Sequence, residues 1–134
     1  MTGDRRVERR ARVVLADDDQ DIVDMYGLAL AAAGFAVRTA RDGIEAVACA
    51  VTERPDIVLL DVQMPRMTGI EVLRELRNTP DLNATPVVMV TNVTDDAVRR
   101  EVQLLGAWAW VQKSATTPHE LVDIVSAAPS SVLL

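Results

Sequence analysis

Short runs of β-branched and apolar residues recur along the chain, and each is followed by a stretch whose apolar residues repeat with helical spacing. The runs are RVVLA (12–16), FAVRTA (35–40), DIVLL (56–60), PVVMV (86–90) and AWAWV (107–111). IVLL and VVMV are apolar without alternation, the pattern of central strands covered by helices on both faces. The intervening segments carry helix punctuation. Asp19 is placed to cap a helix that runs to about Ala33 and stops at Gly34. Thr68 and Glu71 form a capping box ahead of Val72, Leu73 and Leu76, and Thr117, Pro118 and Glu120 repeat that arrangement before Leu121, Val122, Ile124 and Val125. Asp95 and Asp96 favour the start of a fourth helix that Gly106 closes.

Alternating strands and helices predict an α/β fold built on a parallel sheet. With right-handed crossovers, five βα units in this length predict a doubly wound five-stranded sheet of flavodoxin-like order 2-1-3-4-5. Such sheets bind ligands outside the carboxyl ends of their strands, near the switch point between strands 1 and 3. Residues 12–127 would form this domain, with residues 1–11 a basic flexible segment and 128–134 a tail.

Composition narrows the function. A chain of 134 residues is long enough for one core, and no apolar run approaches the ~20 residues needed to span a bilayer. The first twelve residues lack the apolar centre of a secretion signal, which makes the cytoplasm the expected location. A net charge of -6 argues against nonspecific nucleic-acid binding by the domain. Cys49 is expected to be a buried, inert thiol among Ala46, Val47, Ala50 and Val51. The lone His119 reads as a surface residue.

Chemistry gathers at the strand ends. Strand 1 runs into Asp17, Asp18 and Asp19, strand 3 into Asp61, strand 4 into Thr91 and strand 5 into Lys113, the only lysine. Singly, each has an ordinary explanation as a cap, a turn residue, a strand end or a solvated charge. Together they place acids, one cation and one hydroxyl at one edge of the sheet. Clustered carboxylates call for a hard dication, and Mg²⁺ prefers oxygen ligands while keeping waters for an incoming phosphate. A carboxylate beside it can act as a nucleophile toward phosphorus. Lys113 and Thr91 suit the equatorial oxygens of a transferring phosphoryl group.

The segments LADDDQDIV, LLDVQMPRMTGIEVL, VVMVTN and GAWAWVQKS resemble the four signature segments of bacterial response-regulator receiver domains. The resemblance covers about residues 12–127, with 30 residues between Asp61 and Thr91 and 22 between Thr91 and Lys113. It implies that Asp17 and Asp18 hold Mg²⁺, and that Asp61 binds metal and accepts the phosphoryl group from a histidine kinase or phosphotransfer protein. It further implies that the Gln63 backbone carbonyl completes the protein ligands, that Thr91 and Lys113 contact the phosphate, and that Trp110 takes the place of the switch aromatic. The chain would then catalyse only its own phosphorylation and dephosphorylation. Its partner surface, also open to a homodimer, would be helix 4, strand 5 and helix 5, with Trp108 and Trp110 side by side on an edge strand.

Three residues depart from the family pattern: Ser114 where a cis-proline usually follows the lysine, Asn92 where Ala or Gly usually follows the threonine, and tryptophan at 110. A cis bond without proline costs ~3 kcal/mol, so a trans bond and a shifted loop are expected. Asn92 is also large enough to narrow access to the phosphoryl group. These departures keep open a phosphorylation-independent binding module. A haloacid-dehalogenase-like phosphatase shares the aspartate, threonine and lysine, but Asp61 is followed by Val62 and Gln63 rather than by the second acid of D-x-D-x-T. After Ala128 only PSSVLL remains, and a free-standing receiver and one excised from a longer protein read the same way.

Overall fold

The computed structural model describes residues 10–129. Strands β1 (Arg12–Ala16), β2 (Ala36–Ala40), β3 (Ile57–Leu60), β4 (Val87–Thr91) and β5 (Ala109–Gln112) alternate with helices α1 (Gln20–Ala32), α2 (Gly43–Glu53), α3 (Gly69–Arg77), α4 (Asp96–Leu104) and α5 (Pro118–Ser126). All strand pairs are parallel and the order is β2-β1-β3-β4-β5, as expected. A short 3₁₀ turn, Lys113–Ala115, follows β5.

Period-two alternation divides the central strands between two apolar layers. Val14, Ala16, Val58, Leu60, Val87 and Met89 pack with α2, α3 and Val102 of α4. Val13, Leu15, Ile57, Leu59, Val88 and Val90 pack with Tyr26 and Leu30 of α1 and with Leu121 and Val125 of α5. No helix among the described residues is long and apolar enough to cross a membrane.

The helix caps fall where they are expected. Asp19 accepts from the Asp21 N–H, Asp95 from Ala97 and Val98, and both capping boxes close. Gly34 and Gly106 take positive φ, at 101° and 79°. Each starts a closing turn in which the next residue gives its N–H back to the helix, Phe35 to Leu30 O and Ala107 to Val102 O. That explains two corrections to the strand boundaries. Phe35 and Ala107, read as strand residues, close helices instead, so β2 starts at Ala36 and β5 at Ala109.

Trp108 therefore precedes β5 and is 38% exposed, whereas Trp110 lies within the strand and packs against the α2–α4 layer. The two indoles are not neighbours along one strand. Cys49 is half-buried rather than buried, and burial raises its thiol pKa, which favours the unreactive form. His119 is exposed on α5 beside Asp123. The basic segment and the tail lie almost wholly outside the described residues; Arg12, however, is fixed, donating to Glu53 O at 2.8 Å.

Candidate functional site

Asp17 and Asp61 follow β1 and β3 directly, and their backbone N–H groups extend the sheet by donating to Ala40 O and Ala16 O. The apolar strands thus deliver both carboxyls to one end of the sheet with little freedom. Asp17 is 2% exposed and Asp61 6%, while Asp18 is exposed. Carboxylate oxygens of Asp17, Asp18 and Asp61 all lie within 4.8 Å of one another. Lys113 Nζ reaches between two of them, 2.8 Å from Asp17 Oδ2 and 2.7 Å from Asp61 Oδ2.

The charges tune one another. Burial raises the Asp17 pKa, with the Lys113 hydrogen bond pulling it down and Asp61 pushing it further up. At Lys113 burial favours the neutral amine, but hydrogen bonds to Asp17 and Asp61 outweigh it and hold the pKa above its ordinary value. The ammonium is therefore charged at neutral pH. One cation facing three acids leaves the cluster negative, which suits a divalent cation bound to carboxylate oxygen.

Thr91 is the last residue of β4 and is 1% exposed. Its Oγ1 accepts from the Val93 N–H at 3.3 Å, which leaves the hydroxyl proton free to donate elsewhere. Gln63 is exposed beside the acids, its N–H donating to Asp61 Oδ1 at 3.3 Å. An open depression of about 600 Å³ lies between the loops after β3 and β4, lined by Val62, Gln63, Asn92, Val93, Thr94 and Asp95, among others. The carboxylates, Lys113, Thr91 and Gln63 thus share the carboxyl end of the sheet, whereas Trp110 lines a neighbouring depression with Val93, Thr94, Asp96, Arg99 and Gln112. The Arg99 guanidinium carbon sits 5.6 Å from the Trp110 ring centroid.

Three supporting residues escape the sequence reading, and a fourth, Asn92, is read there only for its size. The buried Tyr26 hydroxyl donates to Thr116 O at 2.7 Å and lies 3.3 Å from Lys113 O, anchoring the turn that carries the lysine. Its helical spacing from Val23 and Leu30 marks it as a core residue but says nothing of its hydroxyl partner. Gly69 opens α3 against the carbonyl of Asp61: a Cβ there would lie 2.0 Å from that oxygen. Arg41 holds the loop after β1, donating to Asp18 O at 3.0 Å and to the Gln20 side chain. Asn92 Oδ1 accepts from the Ser114 N–H at 2.8 Å. No described peptide bond is cis, so the Lys113–Ser114 bond is trans, as expected.

Sequence and structure both have close relatives in kind. Residues 13–126 match the family described as the response regulator receiver domain. Over 98 residues the chain is 39% identical to the response regulator MprA of a Mycobacterium species (strain KMS), which covers 73% of this chain and 41% of that protein. The chain thus spans about two fifths of the length of the curated relatives it matches. Chemotaxis protein CheY4 of Vibrio cholerae superposes with a TM-score of 0.82 at 35% identity, covering 88% of this chain and 98% of that one. The phosphorylated cyanobacterial phytochrome response regulator RcpA gives 0.78 at 26% identity, covering 92% and 99%.

Proposed function

The chain belongs to the response-regulator receiver family, and from that membership we propose that it takes a phosphoryl group onto Asp61 from a histidine kinase or phosphotransfer protein in the cytoplasm, with Mg²⁺ as cofactor. The observation that carries this reading is the meeting of Asp17, Asp18 and Asp61 with Lys113 at the carboxyl end of the sheet. An Asp61 carboxylate oxygen bonds to phosphorus as the bond from phosphorus to the donor nitrogen breaks, and the donor histidine keeps that electron pair. Asp17, Asp18, Asp61 and the Gln63 carbonyl would hold Mg²⁺, which when bound offsets the charge of the phosphoryl oxygens. Lys113 supplies fixed positive charge to the same oxygens and Thr91 its free hydroxyl proton. The domain acts catalytically only on its own phosphorylation and dephosphorylation.

The output follows from Thr91. Drawing its hydroxyl toward a phosphoryl group on Asp61 moves the loop into α4, and with it the space around Trp110, which changes the α4–β5–α5 face offered to an output partner or a second copy. The test is incubation with acetyl phosphate and Mg²⁺ followed by intact mass measurement. A gain of about 80 Da is expected in the wild type and none in Asp61→Asn. Persistent labelling of that variant would move the site elsewhere, and an unlabelled wild type would favour the phosphorylation-independent binding module. Asp18→Ala should weaken Mg²⁺ binding and labelling together; no change in either would remove Asp18 from the metal site.

A further inference from the structure

The turn that carries Lys113 lies beyond the sheet ladder, since β5 ends at Gln112. Its backbone is tied at three places. Thr116 Oγ1 donates to Gln112 O at 2.8 Å within the turn, and Tyr26 donates to Thr116 O from α1 beneath it. The third tie is the only one of these that reaches the neighbouring strand: the Ser114 N–H donates to Oδ1 of Asn92, the residue directly after Thr91. A backbone N–H can only donate, so the side-chain oxygen must be the acceptor. Proline at 114 would have no hydrogen to give, and alanine or glycine at 92 no oxygen to receive it. This one hydrogen bond therefore uses both departures from the family pattern.

We propose that Asn92 is a positioning residue for Lys113, clamping the Ser114 amide so that the turn holds the ammonium between Asp17 and Asp61 and moves together with Thr91. Lys113 has a four-carbon stem with many rotamers, and fixing its backbone narrows where its charge can sit. The effect on rate rests on the phosphoacceptor reading of Asp61; the clamp itself does not. Asn92 is exposed and also lines the depression beside the acids, so its rival role is a screen that narrows access to Asp61. A screen and a clamp give opposite results. Removing a screen speeds labelling whatever stands at 114, whereas removing a clamp slows it only while residue 114 has an N–H.

Two measurements on the full chain decide between them: amide hydrogen exchange at residue 114, and the acetyl phosphate dependence of labelling at saturating Mg²⁺. Asn92→Ala should speed exchange at 114 and lower the limiting labelling rate, each about fivefold, the effect of one net hydrogen bond. The half-saturating acetyl phosphate concentration should stay the same. Asn92→Asp, which keeps the oxygen, should retain slow exchange. Ser114→Ala, which keeps the N–H, should match wild type in both measurements. In a Ser114→Pro background Asn92→Ala should change the rate no further. Faster labelling by Asn92→Ala in either background would overturn the proposal, as would unaltered exchange at Ser114. A wild type that takes no phosphate overturns the phosphoacceptor reading instead, and the exchange pattern then decides the clamp alone.

Discussion

Asp56 precedes β3 and Asp61 follows it, so the same side chain stands at opposite ends of one buried strand. Asp56 Oδ2 accepts from the backbone N–H of Arg12 at 2.7 Å, and its own N–H donates to Arg12 O at 2.8 Å, stitching the amino end of β3 to the start of β1. Asp61 instead faces Asp17, Asp18 and the Lys113 ammonium. At the amino end the carboxylate completes backbone pairing. At the carboxyl end three carboxylates converge and repel one another. The Lys113 ammonium offsets part of that repulsion, and the negative charge left over suits a further positive group. Besides Tyr26, the buried polar side chains among the described residues are Asp17, Asp56, Asp61 and Thr91, and of these four only Asp56 lies at the amino end of the sheet.

The contrast breaks most sharply in paired substitutions. Asp61→Asn should abolish phosphate labelling without lowering the melting temperature, since it keeps an oxygen for Lys113 and relieves the repulsion on Asp17. Asp56→Ala should do the reverse, leaving labelling intact while costing about 2 kcal/mol for a stranded Arg12 N–H. Chemical denaturation and intact mass measured on both variants check this, and a destabilised Asp61→Asn with normal labelling would erase the distinction.

Next in size is Gly69→Ala. Its Cβ would have to displace the Asp61 carbonyl, so a loss of about 3 kcal/mol is expected, together with slower labelling because the backbone of the proposed phosphoacceptor moves. Full stability in that variant would show that the carboxyl end of β3 is looser than its packing indicates. Tyr26→Phe should cost less, about 1 kcal/mol, by stranding the Thr116 carbonyl. It should also slow labelling, because the lysine-bearing turn loses its anchor in α1. If only stability changed, the tyrosine would serve the core and not the site.

These supporting residues also show where sequence reading stops. Asp17, Asp61, Thr91 and Lys113 were legible because each closes a strand whose apolar pattern is local, and the parallel order then brings strand ends together. Thr68 with Glu71 and Thr117 with Glu120 were legible because a capping box is written within four residues. Tyr26 and Thr116 are 90 residues apart and Asn92 and Ser114 are 22 apart, and no local pattern pairs a hydroxyl with a distant carbonyl or an amide oxygen with a turn N–H. The start of β5 failed for a related reason. AWAWV alternates like a strand from its first residue, but the Gly106 turn takes the Ala107 N–H for α4 before the ladder begins.

The smallest expected effect concerns Trp108, which stands at the amino end of the sheet in the same sense as Asp56, its N–H donating to Val87 O at the start of β4. Truncating its side chain leaves that bond in place, and the indole belongs to neither apolar layer, so Trp108→Ala should change stability by less than about 1 kcal/mol. Trp110 is different. It packs on the α2–α4 layer, carries Arg99 against its ring and shares a depression with Val93 and Thr94, just after the Thr91 that would contact the phosphate. If the carboxyl end is where the molecule switches, the fluorescence response to acetyl phosphate and Mg²⁺ should survive in Trp108→Ala, where Trp110 is the remaining indole, and vanish in Trp110→Phe. The opposite pattern would place the moving part at the amino end of β5. A Trp108→Ala variant that lost more than ~1 kcal/mol would return that indole to the core. Partner binding can then be tested separately: weaker association with stability, labelling and fluorescence all intact would leave Trp108 as a contact residue on a face that Trp110 controls.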